Sequence, residues 1–271
     1  MPELPEVETL RLQIEPSLVK ASLSHWKILN SSIFSSDFEK HLFHIRSVPI
    51  QHVGRKGKFL FIEWPSKAKL WIHLGMTGQL LWKTNTESWD KHCHVAFFVE
   101  QNKKWLVYRD IRKFGKVFWQ LPDKSHPRVK HLGPDFFELT ETTWVSLLKE
   151  HRGNIKNLLL NQKRVAGLGN IYASEGLFRA GIHPKKAAFR ISSAKKKLLY
   201  ASLYEILTQS IQMGGSSIDD YRQSDGSWGG FQNQHQVYGR QGKACAKCQT
   251  PIRKLIISTR STFYCPHCQH A

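Results

Sequence analysis

Residues 245–268 read Cys-Ala-Lys-Cys-Gln-Thr-Pro-Ile-Arg-Lys-Leu-Ile-Ile-Ser-Thr-Arg-Ser-Thr-Phe-Tyr-Cys-Pro-His-Cys. Two pairs, Cys245-x-x-Cys248 and Cys265-x-x-Cys268, flank sixteen residues. Each pair presents two thiolates from one turn, and two such turns complete a tetrahedron around a single structural Zn²⁺. Between them Leu255-Ile256-Ile257 and Thr262-Phe263-Tyr264 bracket Thr259-Arg260-Ser261, a strand–turn–strand pattern. The stretch reads as a zinc-ribbon finger. The alternative is a pair of disulfides, which needs an oxidising compartment that nothing in the chain indicates. The fifth cysteine, Cys93, reads as an unpaired, inert thiol.

Working back from the finger, Gly214–Gly230 is rich in Gly, Ser and Asp and reads as a mobile loop. Before it, helical periodicity covers Glu141–Glu150, Asn154–Asn161, Asn170–Ala180 and Ser193–Met213. Pro122–Pro134 is enriched in Pro, Lys and His and reads as a domain linker. From Ile45 to Leu121 the pattern is that of strands: Phe59–Trp64, Leu70–Leu74, Gln79–Trp82, His94–Glu100, Lys104–Arg109 and Lys116–Leu121. Their alternation and short turns predict an antiparallel sandwich. At the start, Leu4, Val7, Leu10, Ile14 and Leu18 recur at helical spacing with Pro5 in the first turn, predicting a helix over Pro2–Lys20. The expected class is multidomain α+β: a catalytic-type unit over 1–131, a helical unit with its loop over 132–230, and the finger over 231–271.

Charge narrows the partner. The 271 residues carry 40 Lys+Arg and 21 Asp+Glu, a net +19. Residues 1–150 hold 22 basic and 16 acidic side chains; residues 151–271 hold 18 and 5. Such an excess in the C-terminal half points to a polyanion, most simply nucleic acid, against the plainer reading of a solvated basic surface. No apolar run approaches the roughly 20 residues that span a bilayer. Glu3, Glu6 and Glu8 stand where a secretory signal carries positive charge, so a secreted or membrane protein is not expected. Nothing marks an oligomer interface, and a monomer is expected.

Several blocks, in order along the chain, carry a resemblance. They are Met1-Pro2-Glu3-Leu4-Pro5-Glu6-Val7-Glu8-Thr9, Gly54-Arg55-Lys56-Gly57-Lys58, His73-Leu74-Gly75-Met76-Thr77-Gly78 and Asp110-Ile111-Arg112-Lys113-Phe114-Gly115. His131-Leu132-Gly133-Pro134, Gly167-Leu168-Gly169-Asn170-Ile171-Tyr172-Ala173-Ser174-Glu175 and Gln236-Val237-Tyr238-Gly239-Arg240 follow. Together with the finger they resemble the bacterial formamidopyrimidine-DNA glycosylase / endonuclease VIII family. The resemblance implies a helix–two-turn–helix in the second half, double-stranded DNA with oxidised bases as partner, and a cytoplasmic, nucleoid-associated enzyme of base excision repair.

On position alone Pro2 is an ordinary helix-start proline. Removal of Met1 would leave it a secondary α-amine with a reference pKa of about 8, and the helix dipole nearby disfavours the ammonium form. Such an amine can attack C1′ of a nucleotide, displace the base and form an iminium; the C2′ proton then becomes acidic and the 3′ phosphate leaves. The resemblance makes Pro2 that nucleophile and Glu3 the general acid/base, whereas Glu3 read alone is a dipole-favoured acid, a role suited to Glu6 and Glu8. By the same resemblance Lys58 is the catalytic lysine of the lyase steps and Arg260 the finger arginine that binds phosphate and assists δ-elimination.

Base eversion leaves a gap in the stack. The resemblance assigns its filling to Met76, Arg112 and Phe114, with Arg112 facing the orphaned cytosine; core packing is the alternative for Met76 and Phe114. Backbone grip is implied for His92, Lys156, Asn170 and Arg260, with Arg152 supporting. His151 stands where relatives often carry a phosphate-binding lysine, so contact there is expected to be weaker or pH-dependent. Lys113 replaces a common arginine. Residues 216–231 form the implied lid over the everted base and are the least family-like stretch.

Three functions compete. The first is a bifunctional glycosylase and apurinic/apyrimidinic lyase acting on 8-oxoguanine and formamidopyrimidines, favoured by Leu4, by the Met76/Arg112/Phe114 set and by the long lid. The second is the endonuclease VIII branch, which prefers oxidised pyrimidines. The third is a non-catalytic zinc-ribbon nucleic-acid binder, which leaves Pro2, Glu3 and Lys58 without a purpose.

Overall fold

A computed structural model describes residues 1–34, 38–85 and 89–270. Helix α1 (Leu4–Leu18) begins with Glu3 as N-cap and Pro5 in its first turn. Glu3 and Glu6 form a capping box, with Glu6 Oε2 accepting the Glu3 N–H at 2.7 Å. Its stripe of Val7, Leu10, Ile14 and Leu18 is buried in one cluster with residues of two sheets.

The strands are β1 (Leu23–Ile28), β2 (His52–Lys56), β3 (Phe59–Glu63), β4 (Lys69–His73), β5 (Gly78–Lys83), β6 (Cys93–Val99), β7 (Lys104–Asp110) and β8 (Lys116–Gln120), with a short helix α2 (Phe38–Leu42) after β1. They form two four-stranded antiparallel sheets in the orders β1-β6-β7-β5 and β2-β3-β4-β8. Val95, Phe97, Leu106 and Tyr108 from one sheet and Leu60, Ile62, Leu70, Ile72 and Val117 from the other share the buried cluster, so the expected sandwich is present. β1 and β2 lie outside the expected strand segments. Five of the six β1 residues keep partial exposure, so its sequence lacks a clean apolar alternation.

The chain divides into two compact units, residues 1–130 with 211–232, and residues 131–210 with 233–271. The Pro-rich stretch after β8 contains α3 (Pro127–Lys130), and His126 stacks on Phe118 at 4.0 Å, so this stretch is packed on the sheet rather than extended.

The Gly-rich segment groups with the first unit. Its glycines serve turns: Gly214, Gly215 and Gly226 have φ of 77°, 82° and 91°. It is tied down by Ser216 N–H on Glu6 Oε1 (2.8 Å), Ser224 N–H on Gln13 Oε1 (2.9 Å) and Trp82 N–H on Ser224 O (2.8 Å). The composition that pointed to a mobile loop therefore encodes a hydrogen-bonded one.

In the second unit, α4 (Glu141–Glu150) is capped by Thr140 and α5 (Ile155–Leu160) by Asn154, each side chain accepting an N–H three residues on. α6 (Asn170–Arg179) and α7 (Ser193–Gln212) complete the helices, close to the expected bounds. Trp144, fully buried, donates its indole N–H to Lys196 O at 3.0 Å. The finger hairpin pairs β9 (Arg253–Ile257) with β10 (Arg260–Tyr264). Its two-residue turn is Ser258-Thr259, both at positive φ, so Arg260 is the first residue of β10 rather than the centre of the turn. Among the described residues no helix is long and apolar enough to cross a membrane.

Candidate functional site

In the first unit the chemistry-bearing residues gather at the start of α1. Pro2 and Glu3 are buried, while Met1 before them is exposed. Glu6 links this turn to the loop that follows α7. One carboxylate oxygen accepts the Glu3 N–H and the other the Ser216 N–H, and the Tyr221 hydroxyl donates to Glu6 O at 3.3 Å. Glu6 is thus a buried structural acid, and Glu8 is not simply a dipole-compensating one. Arg55 Nε donates to Glu8 Oε2 at 2.8 Å and Arg55 Nη1 to Gly57 O at 2.8 Å. That ion pair fastens α1 to the β2–β3 turn, where Lys58 is largely buried. Burial, then the charges of Lys58 and Arg128, pull the His73 imidazole down to about 4. His73 is therefore neutral at physiological pH, and its Nδ1 accepts the Gly75 N–H at 3.2 Å.

Met76, Arg112 and Phe114 occupy two loops that Asp110 shapes. The Asp110 carboxylate is fully buried and accepts from the Thr77 hydroxyl, Arg112 N–H (3.2 Å), Gly115 N–H (2.8 Å) and the Tyr108 hydroxyl (3.3 Å). Gly75, at φ 63°, lies so close that an added Cβ would meet Gly115 N at 2.4 Å and Phe114 C at 2.6 Å. The β4–β5 and β7–β8 loops therefore touch backbone to backbone. Outward from this contact, Met76 and Phe114 are exposed, and the Arg112 guanidinium lies over the Phe114 ring at 4.6 Å. Core packing, the alternative for these two apolar side chains, does not describe them. His92 is half-buried, and its carbonyl accepts the Asp110 N–H at 2.9 Å.

The second unit builds a different set around the start of α6. Gly169 caps this helix without a side chain, and its carbonyl accepts the Ala173 N–H at 3.0 Å. Lys156 is 0% exposed, and its Nζ donates to Asn170 O (3.2 Å) and Ser174 Oγ (2.6 Å). Asn170 Nδ2 donates to Ser261 O at 2.8 Å, one residue from Arg260. Arg152 is exposed and stacks over Phe189 at 4.7 Å. Burial, then Arg164, lowers the pKa of His151. Glu175, also buried, accepts the backbone N–H groups of Gln236 (2.9 Å), Val237 (3.0 Å) and Tyr238 (2.8 Å). Burial pushes its carboxyl up despite those three donors.

The four finger sulfurs lie within 4.8 Å of one another. Cys245–Cys268 is 3.9 Å, Cys248–Cys265 3.5 Å and Cys248–Cys268 3.4 Å. A tetrahedron with metal–sulfur bonds of about 2.3 Å has edges of about 3.8 Å, so the set fits one Zn²⁺. Lys247 N–H and Cys268 N–H each point at a ligand sulfur at 3.4 Å, which favours thiolates. Phe178 of α6 packs against Cys245, Ile252 and Cys265, fixing the finger to the helical unit.

Residues 1–117 match the formamidopyrimidine-DNA glycosylase N-terminal domain, residues 132–222 the H2TH domain of the same enzymes, and residues 242–271 the zinc finger found in FPG and IleRS. The formamidopyrimidine-DNA glycosylase of Solibacter usitatus (strain Ellin6076) is 39% identical over 270 residues, covering 99% of both chains. The chain belongs to the formamidopyrimidine-DNA glycosylase family. It is a DNA-repair glycosylase with a C-terminal four-cysteine zinc finger. A Lactococcus lactis FPG variant in complex with Fapy-dG-containing DNA superposes with a TM-score of 0.90 at 35% identity, covering 100% of each chain. The wild-type L. lactis FPG complexed with DNA containing an oxidised pyrimidine gives 0.89 at 35%, again over 100% of both.

Against this family background, the motif reading identified the blocks but missed the residues that hold them. Glu6, Asp110 and Glu175 are buried carboxylates on backbone amides, and His73 is a neutral imidazole beside Lys58. Each lies inside a quoted block. Only Glu175 carries a usable signal, as an acid inside the apolar run 171–178; Glu6 and Asp110 stand among other charged residues.

Proposed function

We propose that this glycosylase is bifunctional, removing oxidised purines and then cleaving the strand as an apurinic/apyrimidinic lyase. The observation that carries the reading is the buried Pro2-Glu3 turn at the start of α1, with Lys58 on a hairpin fastened to the same helix. With Met1 removed, the Pro2 nitrogen attacks C1′ of the damaged nucleotide, the C1′–N bond to the base breaks, and the proton that the amine loses passes to the departing base. Glu3 supplies the proton for ring opening at O4′, giving an iminium between Pro2 and C1′. The iminium accepts the electron pair released when the C2′ proton leaves, and the 3′ phosphate departs. A second elimination then expels the 5′ phosphate. Lys58 serves proton transfer in these steps, and Arg260 binds phosphate.

Met76, Arg112 and Phe114 fill the gap left by the everted nucleotide; their clustered exposure supports that role. His92, Asn170 and Arg260 contact the backbone of double-stranded DNA, with Arg152 supporting. Lys156, being buried, acts by holding the start of α6 through Asn170 O and Ser174 Oγ. The 216–231 segment closes over the base. An oxidised-pyrimidine preference is the second reading, since a solved relative was complexed with such DNA.

The test is borohydride trapping on duplexes carrying 8-oxoguanine opposite cytosine, or an oxidised pyrimidine. A covalent adduct on the purine duplex is expected, and Pro2→Gly should abolish most of it. Absence of any adduct overturns the enzyme mechanism; trapping on the pyrimidine alone moves the substrate to the second reading. Unchanged trapping by Pro2→Gly means another amine is the nucleophile.

A further inference from the structure

The loop that closes on Glu6 carries an exposed aromatic side chain. Trp228 is 56% exposed, yet its position is tightly set. The Arg222 guanidinium lies against its ring at 3.4 Å from the centroid. Arg222 is itself held, Nη1 donating to Asp219 O (3.1 Å) and Tyr221 O (2.8 Å). Gln223 braces the backbone, donating Nε2–H to Trp228 O (3.0 Å) and N–H to Ser227 O (2.9 Å), while Gln13 of α1 donates to Gln223 Oε1.

The next residue ties the backbone that carries Trp228, by way of Gly215, to Glu6 in the first turn of α1. Gly229 N–H donates to Ser217 Oγ at 2.9 Å, and a Cβ on Gly229 would meet Gly215 O at 2.3 Å. Gly215 in turn lies against Glu6, whose carboxylate holds the Glu3 N–H. One face of the indole is thus covered by a cation, the ring is exposed, and its backbone is anchored beside the Pro2-Glu3 turn.

Resting on the glycosylase reading above, we propose that Trp228, backed by Arg222, is the stacking surface for the everted base and favours purine lesions over pyrimidine ones. A guanidinium against one face draws electron density from the indole and leaves the ring a better partner for an electron-rich base. Stacking strength grows with ring overlap, so a bicyclic oxidised purine gains more than a single-ring pyrimidine. An abasic site has no base and gains nothing.

The experiment compares kcat/KM on three duplexes, carrying 8-oxoguanine, an oxidised pyrimidine or an abasic site, for the full-length zinc-loaded chain and for Trp228→Ala, Trp228→Phe and Arg222→Met. Trp228→Ala should lower the ratio of 8-oxoguanine to abasic-site turnover by about tenfold, with a smaller drop in the pyrimidine-to-abasic ratio. Trp228→Phe should recover most of the loss, and Arg222→Met should fall between. Equal effects on all three duplexes, or no change in the ratios, overturn the stacking role while the glycosylase reading stands. A wild-type chain inactive on every duplex overturns both.

Discussion

Single carboxylates carry much of this molecule's local order. Asp110 satisfies two backbone amides and two hydroxyls and so fixes the loops bearing Met76, Arg112 and Phe114. Asp110→Asn exchanges one acceptor oxygen for a donor facing other donors. It should lower unfolding stability by about 2–3 kcal/mol, read as a shift in urea midpoint at constant slope, and weaken binding to a duplex with an abasic analogue. Glu175 is a parallel case. Its Oε1 serves Val237 and Tyr238 while Oε2 serves Gln236. Glutamine has only one acceptor oxygen, so Glu175→Gln should accelerate hydrogen exchange at these amides by about tenfold. Unchanged exchange would mean the three amides are protected from elsewhere.

At the scale of elements, what was legible depended on how local the cause was. α4 and α5 are legible in their helical periodicity, and the finger in its cysteine spacing. β1 was not legible, because its half-exposed residues encode a strand only once β6 pairs with it. The roles of Glu6 and Lys156 were not legible either. Glu6 meets an amide 210 residues away, and nothing in a one-dimensional pattern says that a lysine in a basic stretch is fully buried. The finger offers a test at this level. Cys248→Ser, or chelation, removes the tetrahedron that holds β9 against β10, so DNA affinity should fall while the sandwich's thermal transition persists. Retained affinity would rule out the finger as a DNA contact.

For the whole molecule, net charge and buried imidazoles set the response to solution conditions. With +19 overall, the logarithm of affinity for duplex DNA should fall linearly with log salt, with a slope of about 0.9 per phosphate neutralised. pH acts through histidines such as His235, which burial holds at about 4. In the unfolded chain the same group takes a proton near pH 6.5. Between about 6.5 and 4 the unfolded state therefore binds more protons, so stability is full above 6.5 and declines as pH falls through that window. The largest contribution from this one buried group is about 3 kcal/mol. His235→Gln should flatten part of the decline in Tm between pH 6.5 and 4.5, and an unaltered slope would show that its protonation is not linked to folding.

The 210-residue reach between Glu6 and Ser216 sets a timetable for biosynthesis. As the chain leaves the ribosome, the α1 stripe and the sandwich strands are available early, but the partner for Glu6 Oε1 is not. At a translation rate of roughly 5–20 residues per second it follows some 10–40 seconds later. Until then the turn that carries Pro2 and Glu3 lacks one of its two amide ties. The first residues made are thus among the last to reach their final setting, and a nascent or truncated chain ending before residue 216 holds the Pro2-Glu3 turn without its finished mount.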